Sequence, residues 1–223
     1  MDILRQYNKI GKKYIKDQKE FYNKNKDHAR VFIKNNLPKF KGKMVLDVGC
    51  GSGSDILIYE KLGAKKVYGI DTSLNMINIA RENVKNPEIL SVCNIEKTEF
   101  KNNSFDVVIS RFSLHYLKTF NKVYKEIARI LKNGGILIFV AEHPVRDFEL
   151  KQFKSYESKE IVKYKIYDQK MTLRFWTHTF EEYFSKAFFK HFNILNFKEG
   201  EHTSRKISGK ITPGFIAIKA IKK

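Results

Sequence analysis

The chain has 223 residues, 42% of them apolar and 13% aromatic, enough for one domain with a substantial core and too few for two large ones. Its formal charge is +19, but only eight of the 43 basic residues are arginine and the lysines are spread from Lys9 to Lys223, a solvated-surface distribution rather than a clustered phosphate-reading patch. Two cysteines, Cys50 and Cys93, make neither a disulfide framework nor a metal-ligand spacing, so no metal is expected. No apolar run approaches the roughly 20 residues that cross a bilayer, and "MDILRQYNKIGKKY" lacks the apolar core of a secretory signal, so the expectation is a cytoplasmic protein with no membrane partner.

Taken in chain order, Ile3, Tyr7, Ile10 and Tyr14 follow helical spacing, which predicts one or two amphipathic helices over residues 2–24; a second helix, Asp27–Asn36, ends before Pro38. From Lys43 strand and helix alternate. Strands are predicted at Met44–Val48, Lys66–Ile70, Ile89–Cys93, Phe105–Ser110 and Ile136–Ala141, with helices at Ser54–Leu62, Ser73–Val84 and Thr119–Leu131. The last helix is expected to stop at Asn133-Gly134-Gly135. This alternation implies a parallel sheet covered on both faces, with ligands at the carboxyl ends of its strands. Residues 143–172 have no clean period. After them "MTLRFWTHT" reads as a strand and Thr179–Phe189 as a helix opened by a Thr179/Glu182 capping box; Phe192–Phe197 and Phe215–Ile221 bracket a polar hairpin. This late β-α-β-β run is expected to close the sheet with an antiparallel strand.

The strand "MVLDV" runs into "GCGSG", so that Asp47 precedes three glycines, Gly49, Gly51 and Gly53, at every second position. The even spacing departs from the dinucleotide fingerprint G-x-G-x-x-G. It resembles motif I of the class I S-adenosylmethionine-dependent methyltransferases. The chemistry suits that cofactor: an ammonium and a sulfonium want an acid, and a glycine backbone lets the rest lie close. Asp71 ends "VYGID" where the family's acid accepts both ribose hydroxyls; a helix N-cap role competes for it, and Thr72 or Ser73 serves that role equally well. In "CNIEKTEF" the resemblance assigns adenine contacts to Asn94 and the Ile95 N–H, although family members often carry Asp at the Asn94 position and an Asx turn explains Asn94 as simply. "NSFDVVISRFSLHYL" is similar to the fourth motif, which implies that Arg111, through its carbonyl, and Phe112 flank the methionine portion; Cys50, Thr72 and Met76 complete the implied cofactor set. "ILKNGGILIF" matches the fifth-strand region.

The resemblance covers about residues 40–142 by motif and is strongest to the type 11, ubiquinone/menaquinone-biosynthesis-like members; "VAEHPV" is similar to a bacterial subset of them. It implies an α/β, Rossmann-like, doubly wound seven-stranded sheet, mostly parallel with one antiparallel strand. One domain spans 1–223: an N-terminal helical lid (1–39), a cofactor core (40–142), and a substrate cap with sheet closure (143–223). The expected activity moves a methyl group from S-adenosyl-L-methionine to the oxygen, nitrogen or carbon of a small molecule, leaving S-adenosyl-L-homocysteine, in a monomer or homodimer. Two alternatives stay open: a tRNA or rRNA methyltransferase that uses the lysines, and a cofactor-binding protein without transferase activity.

Candidate bases lie where loops leave the strand ends: His115, then Glu142 and His143, then His178. Each histidine could equally be a locally bonded structural group. Tyr7 and Tyr14 are expected to contact cofactor or substrate from the lid, and Arg146 to orient the acceptor. Trp176 joins Phe153, Tyr156, Tyr164, Tyr167 and Phe175 in an aromatic cap.

Overall fold

The structure, a computed structural model, describes every residue except 1–2, 4–5, 153, 168–169, 202–205, 208–209 and 212, and describes residues 206–207 and 210–211 by their backbone alone. Phe153 therefore lies outside the described residues. Helices α1 (Tyr7–Lys24) and α2 (His28–Asn36) precede the alternating core of β1 (Met44–Val48), α3 (Ser54–Lys61), β2 (Lys66–Asp71), α4 (Leu74–Asn83), β3 (Leu90–Val92), β4 (Phe105–Arg111), α5 (Asn121–Ile130) and β5 (Leu131–Glu142). Then follow α6 (Pro144–Leu150), β6 (Ile161–Ile166), β7 (Met171–Trp176), α7 (Phe180–Tyr183), α8 (Lys186–His191), β8 (Phe192–Gly200), β9 (Lys206–Ile207), β10 (Lys210–Ile211) and β11 (Phe215–Lys222).

Local chemistry starts these helices where the sequence places it. Asp27 accepts from the Arg30 N–H at the head of α2, Ser73 from the Met76 N–H at the head of α4, and Thr179 and Glu182 form the expected capping box. In α5 the side chains of Val123, Tyr124, Ile127 and Ile130 are buried together, as the 3.6-residue period requires.

Seven strands form the main sheet in the order β3-β2-β1-β4-β5-β11-β8. The first five are mutually parallel, and β11 runs antiparallel to both β5 and β8. Period-2 alternation sends Leu46, Val108 and Phe139 to one face, against α5 and Tyr183, while Val45, Val107 and Val140 face α2, α3 and α4 through Phe32, Ile56 and Ile77. A third cluster of Ile3, Tyr116, Val162, Met171, Leu173 and Phe175, with Tyr7 and Tyr14 packed on it, joins α1 to the β6–β7 hairpin. Among the described residues no helix is long and apolar enough to cross a membrane, and no group of three or more His, Cys, Asp or Glu could hold a metal ion.

Three expectations are corrected. "MTLRFW" does not join the main sheet: it pairs with β6, an unexpected strand, in a separate antiparallel hairpin. Lysines at 163 and 165 break the apolar run of β6, and Val162 is its one buried residue, so its period-2 signal is faint. The helix over Thr179–Phe189 divides into α7 and α8, because the Ser185 side chain accepts from the Phe188 N–H and starts a new helix. Gly134-Gly135 does not end α5: Leu131 is already paired with Phe105, and the glycines make a turn inside β5, Gly134 at φ +69°.

Candidate active site

The carboxyl ends of β1, β2 and β4 open into one cavity of about 570 Å³. At the end of β1 the N–H groups of Gly49 and Cys50 both donate to the Ile70 carbonyl, at 2.8 and 3.0 Å, which folds the glycine loop across β2. Two of its glycines are sterically required. A Cβ at Gly49 (φ +71°) would stand 2.1 Å from the Ser113 hydroxyl, and one at Gly53 (φ +76°) would meet Val84 at 3.0 Å.

Asp71 ends β2 and braces the loop: Oδ2 accepts from the Gly51 N–H at 3.1 Å and Oδ1 from the Ser73 N–H at 2.8 Å. Ser73, rather than Asp71 or Thr72, supplies the side-chain cap of α4. Asp47 is buried in the same cavity. Burial pushes its carboxyl well above the usual range, and the nearby Asp55 and Asp71 charges add to the rise; burial raises Asp71 too, against its backbone hydrogen bonds. Asn94 and Ile95 reach the lining from the loop after β3, with the Asn94 side chain closing a turn on the Glu96 N–H at 3.0 Å. Cys50, Gly51, Thr72 and Met76 line the cavity as well.

Arg111 and Phe112 leave the end of β4. Phe112 stands at φ +54°, a left-handed conformation for an aromatic residue, anchored by its N–H on the Val140 carbonyl at 2.9 Å. The Arg111 side chain has a role that motif reading missed. Its Nε binds Asp55 at 2.8 Å and its Nη1 binds Asp27 at 3.3 Å, while Arg30 Nε holds the other Asp55 oxygen at 2.8 Å. Burial opposes the Asp55 charge, yet the two guanidiniums keep its carboxyl below the ordinary value. The network ties α2 to α3 beneath the site.

The three histidines part company. His115 is buried and lines the cavity, edge-on to Phe175 with ring centroids 5.3 Å apart. His143 lies outside it: Nδ1 accepts from the Val145 N–H at 3.1 Å as the cap of α6, and Nε2 sits 2.8 Å from Glu199. His178 is also outside, its Nε2 3.1 Å from the His115 carbonyl and its Nδ1 3.1 Å from Lys159 Nζ. Neither reaches the lining, and each holds partners at both ring nitrogens. Tyr7 and Tyr14 do line the cavity, as does Glu142, whereas Arg146 and Trp176 do not. Arg146 stacks on the Tyr164 ring at 4.2 Å and lies 3.7 Å from Glu142, and Trp176 receives Lys118 over its ring at 5.2 Å. Sequence reasoning also passed over Tyr22, Gln18 and Tyr116. Gln18 and Tyr22 continue the Tyr7/Tyr14 stripe at i+4 steps, a signal that was available; nothing in "SLHYL" says which way Tyr116 turns.

Residues 46–139 match the family model described as a methyltransferase domain. A protein of uncharacterized function from Haemophilus influenzae is 34% identical over 139 residues, which cover 58% of this chain and 55% of that protein. Demethylmenaquinone methyltransferase of Listeria welshimeri is 38% identical over 103 residues, 44% of each chain. The chain thus spans about half the length of the curated relatives it matches. A solved structure from Listeria monocytogenes, assigned as an S-adenosylmethionine-dependent methyltransferase, aligns with a TM-score of 0.72 at 25% identity over 87% of this chain and 96% of its own. Residues 46–139 thus match a methyltransferase domain, and the chain shares its fold with a structure assigned as an S-adenosylmethionine-dependent methyltransferase.

Proposed function

We propose that the protein moves the methyl group of S-adenosyl-L-methionine to a small-molecule acceptor, leaving S-adenosyl-L-homocysteine. The observation that carries this is a pair of acids, the buried Asp47 and the half-buried Asp71, beside a glycine loop that has no room for a side chain at Gly49. A ligand that brings cations and hydroxyl donors fits such a donor set; a pyrophosphate does not. When bound, the cofactor supplies an electrophilic methyl carbon. Asp47 would hold its cationic end and Asp71 its ribose hydroxyls, the Arg111 carbonyl its ammonium, and Asn94 with the Ile95 N–H its base. Cys50, Thr72, Met76 and Phe112 would pack around it.

In this reading α1 is a lid within a single domain. Its Tyr7 hydroxyl is 2.7 Å from that of Tyr116, and Gln18 donates to the Tyr14 and Tyr167 hydroxyls at 3.1 and 3.0 Å, so the helix and the β6–β7 hairpin form the acceptor wall together. Holding two reactants in line and excluding water is the main service such a site renders. Of the three candidate histidines only His115 lies on the cavity wall, which is why this reading takes it as the candidate base and gives His143 and His178 structural roles.

S-adenosylmethionine and its demethylated product should each raise the melting temperature, and NAD should not. Asp71→Ala should weaken the demethylated product at least about tenfold by calorimetry, because charge-assisted bonds of about 1.5–3 kcal/mol are lost. A melting shift with NAD alone, or unchanged affinity in the variant, contradicts the assignment.

A further inference from the structure

The chain carries +19, yet among the described residues no lysine lines the cavity. The charged side chains of the lining are Asp47, Asp55, Asp71 and Glu142 with a single arginine, Arg111. Each already has a partner. In the reading above Asp47 and Asp71 hold the cofactor's cationic end and its ribose. Asp55 takes Arg111 and Arg30, both at 2.8 Å, Arg111 takes Asp27 as well at 3.3 Å, and Glu142 has Arg146 at 3.7 Å. At pH 8 an ordinary imidazole is neutral, so His115 adds no charge either. With the cofactor in place this wall has no cation to spare for an anionic guest and no carboxylate for a cationic one.

What remains for the acceptor is carbon and neutral hydroxyl. Ile15 of α1, with Ile166 and Leu173 of the β6–β7 hairpin, lines the cavity beside the rings of Tyr7, Tyr14, Tyr116 and Tyr167. The Tyr7 and Tyr116 hydroxyls are 2.7 Å apart, and those of Tyr14 and Tyr167 both accept from Gln18, at 3.1 and 3.0 Å. Tyr14 stands between Tyr7 and Tyr167, with ring centroids 4.9 and 5.5 Å away. A series of hydroxyls has one more O–H than it has links, so a donor is left over for a guest. Burial raises all four hydroxyls above their ordinary range, which keeps them protonated and able to donate.

From this juxtaposition of committed charges and spare phenol donors we infer that the methyl acceptor is bound as an uncharged molecule, an apolar body that presents a neutral oxygen to the tyrosine hydroxyls, and that anions and cations of the same shape are rejected. The inference rests on the methyl-transfer reading above and narrows it to a class of acceptor. The discrimination comes from solvation. A carboxylate or an ammonium leaves its hydration shell at the mouth and meets ion pairs that are already closed, whereas an uncharged guest gives up little water and covers apolar wall. A cationic acceptor would in addition stand beside the cofactor's sulfonium, and like charges at that range repel.

Three probes of one shape isolate the claim, in a complex that has no methyl group to give. 2-Acetylnaphthalene, 2-naphthoate and 2-naphthylmethylammonium are added at equal concentration to the wild-type complex with S-adenosylhomocysteine at pH 8, and melting is followed. The neutral ketone should raise the melting temperature and the two ions should not. An ion that matches the ketone, or a ketone without effect, overturns the proposal. Gln18→Glu, which sets an uncommitted carboxylate in the wall, should let the ammonium probe raise the melting temperature; indifference of the variant to that probe would mean that charge at this wall does not decide what binds. In parallel, a metabolite extract of the source organism is divided at pH 8 on cation and anion exchangers, and each fraction is offered with radiolabelled S-adenosylmethionine. The uncharged flow-through should take the label; label confined to a retained fraction overturns the proposal. If S-adenosylhomocysteine does not bind at all, the methyl-transfer reading fails first; if it binds and only a charged fraction is labelled, the uncharged-acceptor assignment alone fails.

Discussion

Asp47 shows most directly what the site costs. Its carboxyl sits above the ordinary range because burial comes first and the Asp55 and Asp71 charges second. A carboxyl with a raised folded-state pKa favours the fold below the unfolded value of about 3.9 and loses that contribution as pH climbs through the folded value. At neutral pH the ligand-free protein therefore carries a penalty here, which a bound cation would relieve. Asp47→Asn should raise the ligand-free melting temperature at pH 7, by about 2–4 °C for each kcal/mol recovered, with the gain shrinking toward pH 4 and with cofactor affinity reduced. A calorimetric scan across pH tests both halves. Arg111 is the opposite case. Arg111→Gln takes one of two guanidiniums from both Asp27 and Asp55, and breaking a buried pair from one side costs about 3–5 kcal/mol, here toward the lower end because Arg30 stays 2.8 Å from Asp55 and 3.7 Å from Asp27. Urea unfolding should register the loss even without ligand.

At the scale of elements, α1 is attached to the core by few but specific contacts. Asn8 Oδ1 accepts from the Ser73 hydroxyl at 2.7 Å and from the Asn75 N–H at 3.2 Å, and the Asn8 carbonyl accepts from Asn75 Nδ2 at 3.0 Å. Gly11 permits this approach, since a Cβ there would lie 2.9 Å from Asn75 Nδ2. The helix thus docks on the N-terminus of α4, next to Asp71. Asn8→Ala removes the side-chain acceptor and leaves the buried Ser73 hydroxyl short of a partner, a loss of about 1–3 kcal/mol. Amides of α1 should then exchange with solvent at least several-fold faster, while those of β1, β4 and β5 keep their protection. Equal acceleration everywhere would mean that α1 is part of the cooperative core rather than a separately opening lid. The helix itself was legible, because its apolar residues recur at helical spacing; its seat on α4 was not, because Asn8, Ser73 and Asn75 meet across more than sixty residues.

For the molecule as a whole, surface and cavity carry opposite signs. The lysines that give +19 keep the chain soluble and draw polyanions to its outside, but those contacts are screened by salt. Retention on bulk RNA should fall steeply between about 50 and 200 mM salt, and saturating RNA should not displace S-adenosylhomocysteine. Salt-resistant retention, or labelling of RNA in preference to metabolites, would revive the nucleic-acid alternative.

The sequence by itself determined the alternating sheet, the acids at the ends of the first two strands, the glycine loop and the Thr179 capping box, because each is written in short periods or fixed spacings that covalent geometry turns directly into local structure. Only the tertiary structure decided which side chains share the cavity. His115, His143 and His178 look equivalent as residues at strand and loop ends, yet only His115 is turned to the cavity, while His143 bonds Val145 and Glu199 and His178 bonds Lys159 and the His115 carbonyl outside it. Tyr7 and Tyr116 meet across 109 positions of chain, and β6 finds β7 rather than the sheet. The sign of the cavity's charge follows the same rule: composition counts every lysine, whereas desolvation keeps those long cations at the surface and leaves the buried carboxylates to set the field that a ligand meets.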